Sequence, residues 1–183
     1  NSLTVTAIDQ NSWKIEGAKK LQRITYWVND TFDGPDGSEI YPMGGTSFDT
    51  DKTHLLNLHS MIGYFENLKE SPYKLSVRSP KNLQAFSSLP SISISDSLDI
   101  FKADRYFHII DNPIMYSEPN AVSFDLDDIK VGLAIYSPSG THKATAYQPA
   151  IQEMMLAQKK FLGESNNTPS YDILLYLMGM DDL

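Results

Sequence analysis

The chain has 183 residues, 41% of them hydrophobic, with no cysteine and a net charge of −8 at neutral pH. The missing cysteines exclude a disulfide framework, a thiolate zinc site, an iron–sulfur cluster and a cysteine nucleophile. The acidic balance argues against nucleic acid as a partner, since phosphate affinity comes from clustered Lys and Arg.

The length fits a single domain over residues 1–183. A chain of this size buries roughly 70% of its unfolded surface. The longest apolar run, Ile173–Met178, is far shorter than the ~20 residues a membrane span needs. Asn1 opens the sequence without Met and without a basic-then-apolar leader, so the chain reads as a processed mature protein or as a piece cut from something longer. The absence of cysteine suits an exported, extracellular or virion protein.

Leu3 to Ile8 alternates apolar residues with Thr, the pattern of a strand with one buried face, and Asp9 to Ser12 reads as a turn. Residues 23–28 (Arg-Ile-Thr-Tyr-Trp-Val) are β-branched and aromatic and predict a second strand. From residue 29 to residue 51 the signals are those of a loop. It carries Asp30, Asp33, Asp36, Glu39, Asp49 and Asp51, with no Lys or Arg. Leu55, Leu58, Ile62 and Phe65 then fall at helical spacing, predicting a helix over about 53–68 with Ser71-Pro72 beyond its end.

Tyr73 to Arg78 alternates as a strand. The stretch 79–99 is rich in Ser and Pro, with Ile92 to Ser95 as an edge strand inside it. Arg105 to Ile110 predicts a buried strand stopped by Asp111-Asn112-Pro113, and Ile129 to Tyr136 gives the clearest alternation of all. Pro149 fits the first turn of a helix that carries Ile151, Met154, Met155, Phe161 and Leu162 and is capped by Gly163. Ser170 to Met178 reads as a short buried helix. The expected class is α+β: a mainly antiparallel sheet or sandwich with one inserted helix (about 53–68) and a helical C-terminus (about 148–178).

Few residues point to chemistry. Asp33, Asp36 and Glu39, with Gly34 and Gly37, form an oxygen-rich turn of the kind Ca²⁺ prefers, and Asp49 and Asp51 could add ligands. The competing reading is a solvated turn with helix-capping carboxylates. Asp125, Asp127 and Asp128 could supply the paired carboxylates of glycoside hydrolysis, but equally a solvent-facing strand end. His54 and His59 lie five apart, which misses the i, i+4 spacing of a helical zinc pair. No residue is assigned a catalytic role, and no cofactor is expected beyond Ca²⁺.

The leading expectation is therefore a non-catalytic interaction or assembly domain, a structural component of an exported, virion or secretion-apparatus kind. Its partner would be another protein or a second copy. The alternative is an extracellular Ca²⁺-assisted carbohydrate-binding or hydrolytic domain with Trp13 or Trp27 as a sugar platform. A hydrolase using His108 with Asp111 is a third.

Overall fold

The computed structural model describes residues 3–31, 45–49, 52–163 and 168–177. It is built mostly of antiparallel strands with a few helices, so the expected α+β class holds. An antiparallel hairpin of β1 (Thr4–Ala7) and β2 (Trp13–Glu16) opens the chain, with the expected turn between its strands. Residues 21–30 form no strand, although the β-branched and aromatic run at 23–28 predicts one. A strand needs a neighbour for its backbone groups, and none of the described strands pairs with this segment. It is held instead by single contacts: the Tyr26 hydroxyl donates to the Met61 carbonyl at 2.6 Å, and the Asp30 carboxylate accepts from the Phe48 N–H at 2.7 Å.

β3 (Ser47–Asp49) and β4 (Thr53–Leu56) form a tight hairpin. The predicted loop thus ends earlier than residue 51, and the predicted helix over 53–68 shrinks to α1 (Leu58–Met61). Tertiary pairing overrides the helical spacing here. β4 lies between β3 and β9 (Ile114–Ser117), and the buried Thr53 hydroxyl donates to the Tyr116 carbonyl at 2.9 Å. Asn57 caps α1 by accepting from the His59 N–H. Ile62 is already extended.

β5 (Tyr73–Arg78) falls where alternation places it, as does the edge strand β7 (Ser91–Ser95). They flank β8 (Leu98–Ala103) in a three-stranded antiparallel sheet. β6 (Gln84–Phe86) completes the other sheet, in the order β3-β4-β9-β6. Residues 105–110 correct another expectation, because Tyr106–Ile110 is a short helix, α2. Tyr106 and Ile109 are buried while Phe107 and His108 are exposed. That is an i, i+3 face, and a short apolar run does not distinguish it from a strand. The first core cluster gathers here, with Leu56, Leu58, Phe101, Ile109, Ile114 and Tyr116 at its centre.

The remainder forms a second sheet system. β10 (Ala121–Leu126) pairs antiparallel with β11 (Ile129–Tyr136), and β11 pairs parallel with β12 (Ser170–Tyr176). α3 (Ala144–Leu162) makes the crossover between the parallel strands. Pro149 lies inside α3, past the first turn, because the helix starts five residues earlier than the proline suggests. Gly163 ends it as expected, with φ of 97° and its N–H on the Lys159 carbonyl. Residues 170–176 are a strand and not a buried helix. A parallel strand covered on both faces reads as a continuous apolar run, which has neither period. Phe124, Leu126, Val131, Leu133 and Ile135 form the core of this second system with Ile151, Met155, Ile173 and Leu175.

Candidate functional site

The two sheet systems meet in a cleft of about 300 Å³, lined from one side by Ala85–Ser87 and Ser91, from the other by β10, β11 and Asp172. Its floor depends on Gly132, which sits opposite Asp172 in the parallel register. A Cβ at residue 132 would collide with the Asp172 Oδ1. The glycine therefore lets the carboxylate lie over the strand and reach the other wall, where its Oδ2 accepts from the Ser88 hydroxyl at 2.8 Å. A second polar tie links the Ser47 and Tyr176 hydroxyls at 3.2 Å, and Tyr176 packs against Tyr136 with ring centroids 5.1 Å apart.

Asn120 holds the seam from the chain side. Its side-chain amide donates to the Ile135 and His142 carbonyls at 2.9 and 2.8 Å, while its oxygen accepts from the Ala144 N–H at 3.0 Å. One side chain thus fixes the end of β11, the following loop and the first turn of α3. The far end of α3 is fastened by Lys159, which bonds Asp128 at 2.6 Å and Asp127 at 3.1 Å. Hydrogen bonds to Asp128 first, then to Asp127, hold its ammonium above the ordinary lysine range. Asp127 has φ of 53°, the left-handed geometry that a tight hairpin turn requires. These carboxylates are thus the turn of a hairpin, in keeping with the plainer of their two readings.

Inside the first core, Tyr116 donates to the Asp99 Oδ2 at 2.9 Å and Ser93 to the other oxygen at 2.5 Å. Burial first, and the bond to Asp99 second, push the Tyr116 phenol far above the usual tyrosine range. The network ties β9 of one sheet to β7 and β8 of the other.

Of the residues singled out for Ca²⁺, Asp33, Asp36, Glu39 and Asp51 lie outside the described residues. Asp49 ends β3 and pairs with Lys52 at 3.5 Å. Among the described residues no three His, Cys, Asp or Glu side chains stand together as a metal would require. Trp13 lies on β2 at 59% exposure and Trp27 in the irregular segment at 93%. His108 is exposed on α2, accepting from the Arg105 Nε at 3.3 Å, and the four histidines fall on four separate stretches of the fold. Asp172 escapes a sequence reading that treats residues 170–178 as helix. The signal for it is Gly132, a glycine inside the clearest strand, which marks a close approach.

The Peptidase M61 N-terminal domain model matches residues 1–118. The match stops just before Asn120 and β10, so its limit coincides with the seam. Among solved structures, the aminopeptidase N family protein from Idiomarina loihiensis is similar, with a TM-score of 0.61 and 20% identity. The likeness covers 73% of this chain and 23% of that one, and at this identity it shows the fold alone. No curated protein sequence matches. The family match overturns the expectation of a virion or secretion-apparatus structural component, because it points to a peptidase-associated domain. That the sequence offers no catalytic motif does not imply assembly, since a domain that accompanies a peptidase need not carry one. With well over half its length matched, the chain belongs to the Peptidase M61 N-terminal domain family.

Proposed function

We propose that the chain is the amino-terminal part of a peptidase, and that it serves peptide hydrolysis by supporting the body that carries the reacting groups. The family match over residues 1–118 carries this reading. The chain spans 23% of its structural neighbour, so an aminopeptidase-like protein has ample further polypeptide to supply such a body. The end of α3 fits the same role: the adjacent Phe161 and Leu162 are 88% and 80% exposed. Apolar groups of that kind mark a surface covered by another part of a protein.

The test is hydrolysis of short peptides by the full-length polypeptide that contains this chain, compared with the 183-residue chain alone. Cleavage by the longer protein and none by the shorter is the expected result. A full-length protein that leaves a broad set of peptides intact, while correctly folded by circular dichroism, refutes the reading.

A further inference from the structure

β12 has the make-up of an inner strand but occupies the end of its sheet, in the order β10-β11-β12. Ile173, Leu174 and Leu175 follow one another without Pro, Lys or Arg, and the register with β11 is unbroken from Lys130↔Ser170 to Tyr136↔Tyr176. Both faces are engaged. Ile173, Leu175 and Leu177 join the cluster under α3, while Asp172 and Tyr176 reach the first sheet system through Ser88 and Ser47. Parallel strands covered on two faces normally lie inside a sheet, and natural edges are blunted by bulges, prolines or displayed charges. β12 has no bulge and no proline, and its one charge, Asp172, is turned inward onto Ser88.

The ladder shows which backbone groups point outward. Lys130 donates to the Pro169 carbonyl and Leu177 to the Tyr136 carbonyl, each at 3.0 Å, so the odd-numbered residues face β11. By alternation, the N–H and C=O of Asp172 and Leu174 point away from β11, toward a side on which no described strand pairs. We propose that this edge receives a further β-strand from the peptidase body, which extends the sheet and makes β12 an interior strand. The inference rests on the peptidase reading above, since that reading supplies the polypeptide that would pair there. Recognition is by main-chain hydrogen bonds along a regular, uncharged edge.

Residue-resolved amide hydrogen exchange tests it, on the full-length polypeptide and on the 183-residue chain at two concentrations. The amides of Asp172 and Leu174 should exchange at least about 100-fold more slowly in the full-length protein, while those of Ile173 and Leu175 are slow in both. Equally fast exchange of Asp172 and Leu174 in both, in a full-length protein that cleaves peptides, overturns the added strand and leaves the peptidase reading standing. Slow exchange in a full-length protein that cleaves none keeps the strand and overturns that reading. Protection that grows with concentration in the short chain makes a second copy the occupant, which also overturns the proposal.

Discussion

Replacing Tyr116 with Phe isolates the polar tie at the centre of the first core. Tyr116 is 1% exposed, and its hydroxyl is one of two side-chain donors to Asp99, itself only 8% exposed. The phenyl ring keeps the packing, so the loss is one hydrogen bond to a buried carboxylate. Such bonds are worth about 1.5–3 kcal/mol when a charged acceptor is left short of a donor. For a chain of this length, about 2 kcal/mol corresponds to a drop in Tm of about 4–8 °C. Replacing both partners, Asp99→Leu with Tyr116→Phe, should cost less than the two single changes added together, because the carboxylate that needs a donor is gone.

The pH dependence has a definite sign. A phenol whose pKa is raised in the fold contributes stability that is complete below the unfolded value of 10.0 and is lost as the pH climbs through the folded value. The parent protein should therefore lose stability above pH 10 faster than the Tyr116→Phe variant, and the gap between them should narrow. Thermal unfolding followed by circular dichroism from about pH 7 to about pH 11 measures this. A Tm for the variant within about 1 °C of the parent at neutral pH, or a gap that stays constant to the alkaline limit, would refute the reasoning.

Asn120→Ala removes three hydrogen bonds around the start of α3 and should cost about 2–3 kcal/mol in urea unfolding, with faster proteolysis in residues 137–143. A cost under about 0.5 kcal/mol would mean that water replaces the side chain without loss. Gly132→Ala drives a Cβ into the Asp172 carboxylate and should cost about 1 kcal/mol through the Ser88 bond. That cost should largely vanish when Asp172 is already Ala, and an undiminished cost would place the damage in the backbone instead. Leu133→Ala empties a fully buried position between β11 and α3 and should cost about 2–5 kcal/mol. A smaller loss, in the range of a surface substitution, would show that this cluster does not hold the sheet together.

How much of the fold is legible in the sequence follows from how local each signal is. β1, β5, β7 and β11 show through alternation, and α3 through a long helical stripe with Gly163 beyond it. The segments that mislead are short apolar runs whose conformation is set by a distant partner. Thr53–Leu56 is a strand because it pairs with β9, far along the sequence, and Ser170–Tyr176 because β11 offers a parallel neighbour. Tyr106–Ile110 carries little more than one turn of periodicity, too little to separate helix from strand. The cleft is invisible for the same reason. Asp172, Ser88 and Gly132 are each ordinary residues in sequence, and only the pairing of β11 with β12 brings them together. Mainly antiparallel structure is nonetheless readable, because turn formers punctuate the strands closely throughout.

The end of the family match and the seam in the structure fall together for a physical reason. The apolar clusters on the two sides of Asn120 are separate, and direct polar ties across the cleft run from Ser88 to Asp172 and from Ser47 to Tyr176. Two partly buried hydrogen bonds of about 1 kcal/mol each cannot carry a sheet whose backbone ordering costs about 1–2 kcal/mol per residue. The β10-β11-β12 sheet must draw its stability from its own clusters under α3 and from whatever lies against its outer strand. One face of that sheet is covered by α3, and the other meets the first sheet system. The outward backbone of Asp172 and Leu174 is then where added pairing would gain most, since a new ladder there needs little further ordering of β12. The apolar end of α3 follows the same logic. Phe161 and Leu162 belong to none of the three clusters, so the described sheets alone leave them in water.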